Sequence, residues 1–573
     1  MVSGITSTAL KEKGNLLQPD DCEAVGRLDP PSSSALRLAE PFLRIPPFPG
    51  ARARHFVRSG DLESVGRDLL DTVRRSHVGG TFWAAQPKLP ARYLLARSQA
   101  AIEAARAVVE AGASVCWTRD DAAPDLAGTT LAVTGDCDPW HMVASALAVV
   151  VESQDELRVI ASVLDIPTYI YDPQSGELER DTCDAADLLA NALGASNFLS
   201  PFTSEPLSPA EAVDLCGFWR QLVDSNRDIC GGLGFAFWKQ DHVAPLLWGG
   251  GAPFHFLRSA SDAPHDGAIA IWRAKVAAQC LAVLDDSGRV TIEIEDGFLR
   301  SRGLGADCIP PLSITVDRLG AHFDPTGPSE LEVLLQKGNF DNQLIARAAE
   351  LRQLIVEAGL GKYEQGGATL DRPGGERSHI LVPGQVEDDR AVVVGGCGLT
   401  SNLDLLRRVR EQAPDAYILY KPHPDVLAGH RRGAVSDRAC LEYADSIVGE
   451  LAIGSLIAMV DEVHVNTSLA GFEALLRGKK VTTYGVPFYS GWGLTRDLGP
   501  VPARRTARRT LDELVAATLL VYPRYLDPVT GLPCPAEIVV GRLCAAEARD
   551  PGLLVGVRRL QGKFMRRLRS LVQ

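Results

Sequence analysis

Apolar and polar positions alternate with two different periods along the chain, and the two periods predict two kinds of element. Short apolar runs predict strands, and longer stretches with apolar residues at helical spacing predict helices. Strands that alternate with helices form parallel sheets covered on both faces, so the pattern predicts an α/β fold. The predicted strands are Thr130–Thr134, Thr168–Tyr171, Ala268–Trp272, Arg289–Ile294, His379–Val382, Tyr417–Tyr420, Glu462–Val465 and Lys480–Tyr484. The predicted helices are Gln99–Ala111, Asp155–Leu164, Pro209–Ser225, Arg273–Val283, Asp341–Ala358, Ser401–Gln412, Ser446–Met459 and Ser468–Arg477.

The alternation becomes regular from residue 229 onward, and it predicts two Rossmann-like lobes on the GT-B glycosyltransferase plan. In open α/β sheets ligands bind beyond the carboxyl ends of the strands, so residues just after each strand are the first candidates for chemistry. The predicted divisions are an irregular leader at 1–60, an N-terminal α/β region at 61–228, lobes at 229–375 and 376–545, and a C-terminal helix at 546–573.

Carboxylates follow two of the predicted strands. Glu295-Asp296-Gly297 ends one strand, and Gln385 is followed by acids up to Asp389 after another. Adjacent carboxylates raise the pKa of one member, which suits a general acid or base, and the glycine permits a tight turn. The alternatives are a helix-capping turn for the first group and a solvated acidic loop for the second.

Two other strand ends favour phosphate binding. In Lys421-Pro422-His423-Pro424 the prolines restrict the backbone, so Lys421 offers a charge and His423 a donor to a phosphate oxygen. Thr467 and Ser468 begin a helix, where hydroxyls and backbone N–H groups bind anions, and Glu473 is placed to accept from ribose hydroxyls. The alternatives are a rigid surface loop and ordinary helix capping. Together the four strand ends indicate a transferase that uses a nucleotide-activated donor.

Composition narrows the class of protein further. The net charge of −13 argues against a nucleic-acid partner. The 12 cysteines are scattered without a CxxC pair, which disfavours a zinc or redox motif and fits a reducing cytosol. The N-terminus lacks the apolar region of a secretory signal, and apolar runs such as Met142–Val151 are too short to span a bilayer. We therefore expect a soluble or peripheral cytoplasmic protein.

Four long stretches carry a resemblance to a known family. They resemble the capsule polysaccharide synthesis proteins of the KpsC/KpsS type, which are retaining β-Kdo glycosyltransferases. The resemblance is strongest to the C-terminal catalytic module of KpsC and covers about residues 229–545. The stretches begin EDGFLRS (295–301), VPGQVEDDR (382–390), YKPHPDVLAGHRRG (420–433) and TSLAGFEALLRGKKV (467–481).

The resemblance implies the substrates and the partners. It implies CMP-β-Kdo as the donor substrate, with no cofactor and no metal. It implies a glycan or lipid-linked acceptor at the inner leaflet, and with it contacts to the inner membrane surface and to the capsule export machinery. The lobe at 229–375 becomes the acceptor side and the lobe at 376–545 the CMP-sugar-binding side.

The resemblance also implies residue roles. Asp389, preferred to Asp388, matches the proposed nucleophile, which would form a glycosyl-enzyme adduct as retaining glycosidases do. The other matching motifs imply acid/base chemistry for Glu295 and Asp296 and phosphate contact for His423, Pro424, Thr467 and Ser468. From residue chemistry alone we add relief of phosphate charge by Lys421, donor binding by Gln385 and Glu473, and Kdo carboxylate binding by Arg300.

The first 225 residues depart from the family pattern because they contain none of these motifs. Val149–Tyr171 nevertheless has the shape of Val463–Tyr484, with Ser153 opposite Thr467. We expect a Rossmann-like lobe without donor chemistry, which binds an acceptor or a partner. The alternative is an unrelated α/β appendage.

The C-terminal stretch 557–573 is basic, with leucines and a phenylalanine at helical spacing. Such a helix can lie on an anionic membrane surface, and the alternative is a helix packed on the protein with a solvated basic face. Two rival functions also stay open at this stage. One is a polyol-phosphate transferase that uses a cytidine nucleotide, and the other is a capsule export or assembly subunit without activity.

Overall fold

The computed structural model describes residues 38–53, 55–59, 67–119, 130–193, 197–299, 309–360, 372–429, 431–449 and 451–545. Arg300 and the C-terminal segment 546–573 lie outside these residues, so their predicted roles stay predictions. The chain divides into two compact units. The described part of the first lies before Ile229 and in Leu247–Phe254 and Val529–Leu532, and the rest forms the second.

The described residues of the first unit form a six-stranded sheet, a small three-stranded sheet and six helices. Its strands are β1 (Arg58–Ser59), β2 (Tyr93–Ala96), β3 (Ser114–Thr118), β4 (Thr130–Thr134), β5 (Ala146–Val151), β6 (Thr168–Tyr171), β7 (Leu178–Arg180), β8 (Asn197–Leu199) and β9 (Pro206–Leu207). Its helices are α1 (Arg67–Ser76), α2 (Gln99–Ala105), α3 (Pro139–Ala144), α4 (Glu156–Val163), α5 (Ala185–Leu193) and α6 (Pro209–Asp224).

The larger sheet of the first unit has the order β4-β3-β2-β5-β6-β7, and all its pairs are parallel except β6 with β7. Taken in chain order from β2, its parallel strands follow the doubly wound order 3-2-1-4-5. The predicted strands at 130–134 and 168–171 are confirmed at their full length. The helix predicted to reach residue 111 ends at Ala105, and Val108 beyond it is 58% exposed and adds nothing to a buried face.

The described residues of the second unit form two sheets and most of the chain's described helices. Its strands are β10 (Ile229–Leu233), β11 (Phe256–Leu257), β12 (Ala268–Ile271), β13 (Thr291–Asp296), β14 (Ser313–Asp317), β15 (His379–Pro383), β16 (Tyr417–Lys421), β17 (Ser446–Ile447), β18 (Glu462–Val465), β19 (Lys480–Thr483), β20 (Arg496–Asp497), β21 (Pro523–Leu526) and β22 (Pro533–Cys534). Its helices are α7 (Phe237–Leu247), α8 (Ala278–Asp286), α9 (Glu330–Lys337), α10 (Asn342–Glu357), α11 (Arg390–Gly395), α12 (Asn402–Gln412), α13 (Pro424–Leu427), α14 (Asp437–Leu441), α15 (Ile453–Met459), α16 (Leu469–Leu476), α17 (Leu511–Val515) and α18 (Ala536–Cys544).

One sheet of the second unit has the order β11-β10-β12-β13-β14-β21-β22. It is parallel from β11 to β13 and antiparallel from β13 to β22. The prediction that 376–545 forms a lobe of its own is corrected here, because β21 and β22 within that range join the sheet that contains β10 to β14. Such long-range pairing leaves no local signal in the sequence.

The other sheet has the order β17-β16-β15-β18-β19-β20 and is parallel throughout. In chain order this is the doubly wound order 3-2-1-4-5-6, with its switch point between β15 and β18. Buried side chains from β15, β16 and α12 form one core on a face of this sheet. The predicted α/β class with parallel sheets, including the additional N-terminal region, is therefore confirmed.

Two predicted helices are interrupted. The segment predicted at 273–283 is a 3₁₀ turn at Arg273–Lys275 followed by α8. The segment predicted at 446–459 begins as strand β17, and α15 starts only at Ile453. Within the described ranges, no helix is both long enough and apolar enough to cross a membrane.

Candidate functional site

Polar residues follow β15, β16 and β18 at one edge of the fully parallel sheet. Pro383 at the end of β15 pairs with Lys421 at the end of β16, and Gln385 and His423 each lie two residues beyond this last pair. Thr467 follows β18, the strand on the other side of β15. The three predicted residues therefore follow the central strand and both of its neighbours.

The side chain of Gln385 is bonded to Thr467 at the switch point. The amide Nε2 donates to Thr467 Oγ1 over 2.9 Å, and the backbone N–H of Thr467 donates to Gln385 Oε1 over 3.0 Å. The Gln385 backbone is held separately, because its N–H donates to Asn402 Oδ1 and its carbonyl accepts from Asn402 Nδ2, each over 2.8 Å. Gln385 is buried.

His423 and Ser468 each cap a helix. His423 caps α13, where Pro424 occupies the first turn, and its Nδ1 accepts from the Asp425 N–H over 3.1 Å. The neutral ring therefore carries its proton on Nε2, which makes that nitrogen a donor. Ser468 caps α16, and its Oγ accepts from the Ala470 N–H over 3.2 Å, so the hydroxyl hydrogen points elsewhere.

Lys421 and Glu473 are both buried near this edge. Lys421 Nζ donates to the carbonyl of Gly449 over 3.3 Å and to that of Leu451. The structure thus directs the ammonium onto the loop after β17, and its predicted phosphate contact stays a prediction. Glu473 lies within α16, and its ribose contact also stays a prediction.

Glu295 lies at the carboxyl end of β13 in the other sheet. Its side chain is 17% exposed, and burial raises its pKa to about 8. Arg390 Nη1, 3.2 Å from Glu295 Oε1, lowers the pKa, and the neighbouring charges of Asp296 and Glu293 raise it. Burial therefore outweighs the cation, and the carboxyl is mainly protonated at neutral pH.

Asp296 beside it has a different environment. Its Oδ1 accepts from Lys239 Nζ over 3.0 Å, and that ammonium lies 3.4 Å from the centre of the Trp272 ring. Gly297 then brings the backbone so close to β14 that a Cβ there would lie 2.2 Å from Ser313 Oγ. The pair therefore divides into a buried acid and an ion-paired carboxylate.

Asp389 caps α11, and its side chain accepts from the Ala391 N–H over 3.0 Å. It is half exposed, and Arg431 lies 3.9 Å from it and 3.2 Å from Asp388. The next residue, Arg390, reaches Glu295. The structure thus connects the two predicted carboxylate groups through one arginine.

Sequence reasoning missed Arg390 and Lys239, the cations that contact Glu295 and Asp296. The only available signal for Arg390 was its place directly after Asp389 in VPGQVEDDR. Nothing in the sequence marked Lys239, whose contact with Asp296 spans 57 positions. In the part of the chain that the structure covers, no group of three or more histidine, cysteine or acidic side chains could hold a metal ion.

The corresponding edge of the first unit is occupied by its own charges. Arg97 follows β2 and binds Asp155, the cap of α4, through contacts of 2.7 and 3.1 Å. The Arg97 guanidinium also lies 4.1 Å from the centre of the Trp117 ring. The next residue, Glu156, is buried and accepts from Arg44 over 2.7 Å. The start of α4 in the first unit therefore carries the carboxylates of Asp155 and Glu156, whereas the start of α16 in the second unit carries the hydroxyls of Thr467 and Ser468.

Comparison with known proteins gives the chain its relatives. Residues 268–525 match the family model described as capsule polysaccharide biosynthesis protein. The chain is 40% identical over 365 residues to capsule polysaccharide modification protein LipA of Neisseria meningitidis serogroup B, covering 62% of this chain and 51% of LipA. It is 47% identical over 249 residues to lipopolysaccharide-processing protein LpsZ of Rhizobium meliloti, covering 43% of this chain and 56% of LpsZ. The chain thus spans about half the length of these curated relatives.

Two solved structures of Thermosulfurimonas dismutans KpsC are also similar. The one named as a β-Kdo 2,7 transferase is 32% identical, covers 56% of this chain and 99% of its own, and has a TM-score of 0.45. The one named as a β-Kdo 2,4 transferase is 31% identical, covers 55% and 98%, and has a TM-score of 0.48. The family match and the sequence identities thus make residues 268–525 of this chain similar to capsule polysaccharide biosynthesis proteins.

Proposed function

We propose that the chain is a retaining β-Kdo glycosyltransferase that moves Kdo from CMP-β-Kdo to a glycan acceptor during capsule polysaccharide synthesis. The two KpsC structures that match 55% and 56% of the chain, at 31% and 32% identity, are named as β-Kdo transferases. Its two sheets with polar carboxyl edges in the second unit agree with the GT-B plan.

The donor phosphate would bind at the edge formed by β15, β16 and β18. His423 Nε2–H and the hydroxyls of Thr467 and Ser468 can donate there, since His423 Nδ1 and both hydroxyl oxygens each accept from an N–H group of the chain, which directs their own hydrogens elsewhere. A phosphate needs donors, and hydrogen bonds to a charged acceptor are the stronger kind. These contacts offset the charge that grows on CMP as it departs.

The chemistry would proceed in two displacements. In the first, Asp389 attacks the anomeric carbon, and the bond from that carbon to the phosphate oxygen breaks with its electron pair on CMP. In the second, an acceptor hydroxyl attacks the same carbon while Glu295 takes its proton, and the bond to Asp389 breaks with its electron pair on the carboxylate. Two inversions leave the configuration unchanged.

The observation that carries this proposal is the different environment of Glu295 and Asp389. Glu295 is buried with a pKa of about 8, so its deprotonated form is a strong base that becomes more populated as the pH rises toward 8, whereas Asp389 is half exposed on a helix cap. Arg390 follows Asp389 directly in the chain, and its guanidinium contacts Glu295. Two carboxyl groups in such different surroundings can take different roles.

The acceptor, the location and the partners belong to the same proposal. A lipid-linked acceptor would bring the protein to the inner face of the cytoplasmic membrane, where it would meet the capsule export machinery. The basic segment 557–573 would contribute to membrane binding. Deletion of this segment is expected to reduce flotation with anionic liposomes, and unchanged flotation would assign the segment another role.

The test is incubation of the protein with CMP-β-Kdo and a synthetic acceptor that ends in Kdo. A new β-Kdo bond, identified by NMR and mass spectrometry, is expected together with release of CMP. Release of CMP without a new bond would indicate hydrolysis only. Turnover of a cytidine diphosphate polyol instead would indicate the polyol-phosphate transferase. No turnover by folded protein with several acceptors would favour a capsule assembly subunit without activity.

A further inference from the structure

Gln385 occupies the switch point of the fully parallel sheet, and its side-chain amide faces Thr467 rather than open space. The backbone N–H of Thr467 can only donate, so the amide oxygen must face it, as the 3.0 Å contact shows. The amide nitrogen therefore faces the hydroxyl, 2.9 Å away. This orientation of the amide follows from the hydrogen bonds themselves.

The same pair of contacts determines the direction of the Thr467 hydroxyl. An amide NH₂ group can only donate, so the hydroxyl oxygen accepts from it. The hydrogen of the hydroxyl is then directed away from Gln385 and is available to an acceptor outside the pair. Gln385 thus turns Thr467 into a donor at the edge where the proposed phosphate would bind.

We propose that Gln385 is a positioning residue that acts through Thr467, holding its hydroxyl as a donor to the nucleotide phosphate, and that Gln385 does not itself bind the donor substrate. This inference rests on the proposed function, because it takes the ligand at this edge to be a nucleotide phosphate. It also changes the role predicted for Gln385 from the sequence, which was donor binding.

The arrangement explains why this position carries glutamine rather than another polar residue. Glutamate has the same length but only acceptor oxygens, so Thr467 would direct its hydrogen toward the carboxylate. Methionine has a similar volume but no donor, so nothing would orient the hydroxyl. In both variants Asn402 still bonds the backbone of residue 385 through its own amide, so the loop keeps its anchor.

The test is a double-mutant cycle on CMP binding, measured by calorimetry on the full chain. The four proteins are the wild type, Gln385→Met, Thr467→Val and the double variant. Loss of one hydrogen bond to a charged group weakens binding about tenfold to a hundredfold. We expect each single variant to lose affinity in this range and the double variant to bind about as well as Thr467→Val, because the two residues act as one unit.

Controls separate this effect from loss of structure. Gln353→Met removes an exposed glutamine on α10 that bonds only to Glu357 among the contacts described, and it should bind CMP as the wild type does. Thr467→Ser keeps the hydroxyl and should restore most of the affinity. If Gln385→Met does not fold, Gln385→Glu replaces it in a second double-mutant cycle. Any loss of CMP affinity caused by the glutamate charge itself is present with Thr467 and in the Thr467→Val background alike, so it cancels when the coupling between positions 385 and 467 is calculated.

The outcomes separate this inference from the proposed function. Additive losses with intact CMP binding in the wild type would overturn the role of Gln385 and leave the proposed function standing. If the wild type binds CMP no more tightly than UMP, the choice of a cytidine nucleotide as donor is overturned. Coupling between Gln385 and Thr467 with either nucleotide would still support the positioning role of Gln385. No binding of any nucleotide by the wild type would overturn both.

Discussion

Arg390 lies next to Asp389 in the sequence and 3.2 Å from Glu295 in space, so its replacement tests how the site controls ionisation. In Arg390→Gln the side chain keeps much of its length and loses its charge. Lys239 then remains as the nearby cation, while Asp296 and Glu293 remain as anions. Because Arg390 lowers the pKa of Glu295, its removal should raise that pKa above the present value of about 8.

The size of the effect follows from the distance. Two unit charges 3.2 Å apart interact by about 5 kcal/mol at an effective dielectric constant of ~20. The Arg390 side chain is 28% exposed, so water and salt reduce this figure to about 1–3 kcal/mol. At about 1.4 kcal/mol for each factor of ten, the pKa of Glu295 should rise by roughly one to two pH units.

The assay is the initial rate of β-Kdo transfer across roughly pH 6 to 10. As a base Glu295 must be deprotonated, so the rate should rise with pH toward a plateau, and the rise should move to higher pH in Arg390→Gln. Near neutral pH the variant should be slower by about tenfold to a hundredfold, and it should recover at high pH. Arg390→Lys should keep the wild-type profile, as should Arg407→Gln on the exposed face of α12. A rise that stays at the wild-type pH in folded Arg390→Gln would refute the reasoning.

Three further predictions address other residues. Glu295→Gln should abolish transfer and raise stability, because ionisation of the buried carboxyl costs the folded state progressively more between the ordinary glutamate pKa of 4.5 and about 8. In denaturant titrations the gain in unfolding free energy should be near zero below pH 4.5 and reach a few kcal/mol above pH 8. An equal gain at low and at high pH would contradict this. Asp389→Asn should bind CMP but form no β-Kdo bond, whereas Asp388→Asn should remain active, and the reverse result would move the nucleophile by one residue. Ser153→Ala should leave calorimetric CMP binding and transfer unchanged, because Ser153 lies in the first unit just before α4, whose start carries Asp155 and Glu156 in place of hydroxyl donors. Loss of CMP binding in this variant would count against that reasoning.

Much of the fold could be predicted because the elements repeat a local pattern. The strands at 130–134 and 168–171 match their predictions because each is a short, largely apolar run, and the strand at 462–465 matches because polar and apolar residues alternate along it. The site edge was predictable for the same reason, since the carboxyl ends of parallel strands meet at one edge. Gln385, His423 and Thr467 needed only their positions after three strands to be placed together.

The rest depends on contacts between distant segments. Arg390 and Glu295 are 95 positions apart, and no periodicity joins them. The direction of the Lys421 ammonium was also hidden, because the carbonyls it contacts belong to a loop 28 to 30 positions away. Local sequence thus predicted which residues reach the site, and only the folded chain determines which cation each carboxylate meets.

The return of β21 and β22 to the sheet that contains β14 has a consequence for how the protein is made. Arg52 N–H likewise donates to the carbonyl of Thr530 over 2.9 Å within the first unit, so residues 523–534 complete a part of each unit. During synthesis from the N-terminus, β14 keeps an unpaired edge for more than 200 residues before its partner is made, and unpaired edges invite association with other chains. A fragment that stops at residue 375 should therefore aggregate, and nascent chains should depend on chaperones until residues 523–534 have left the ribosome.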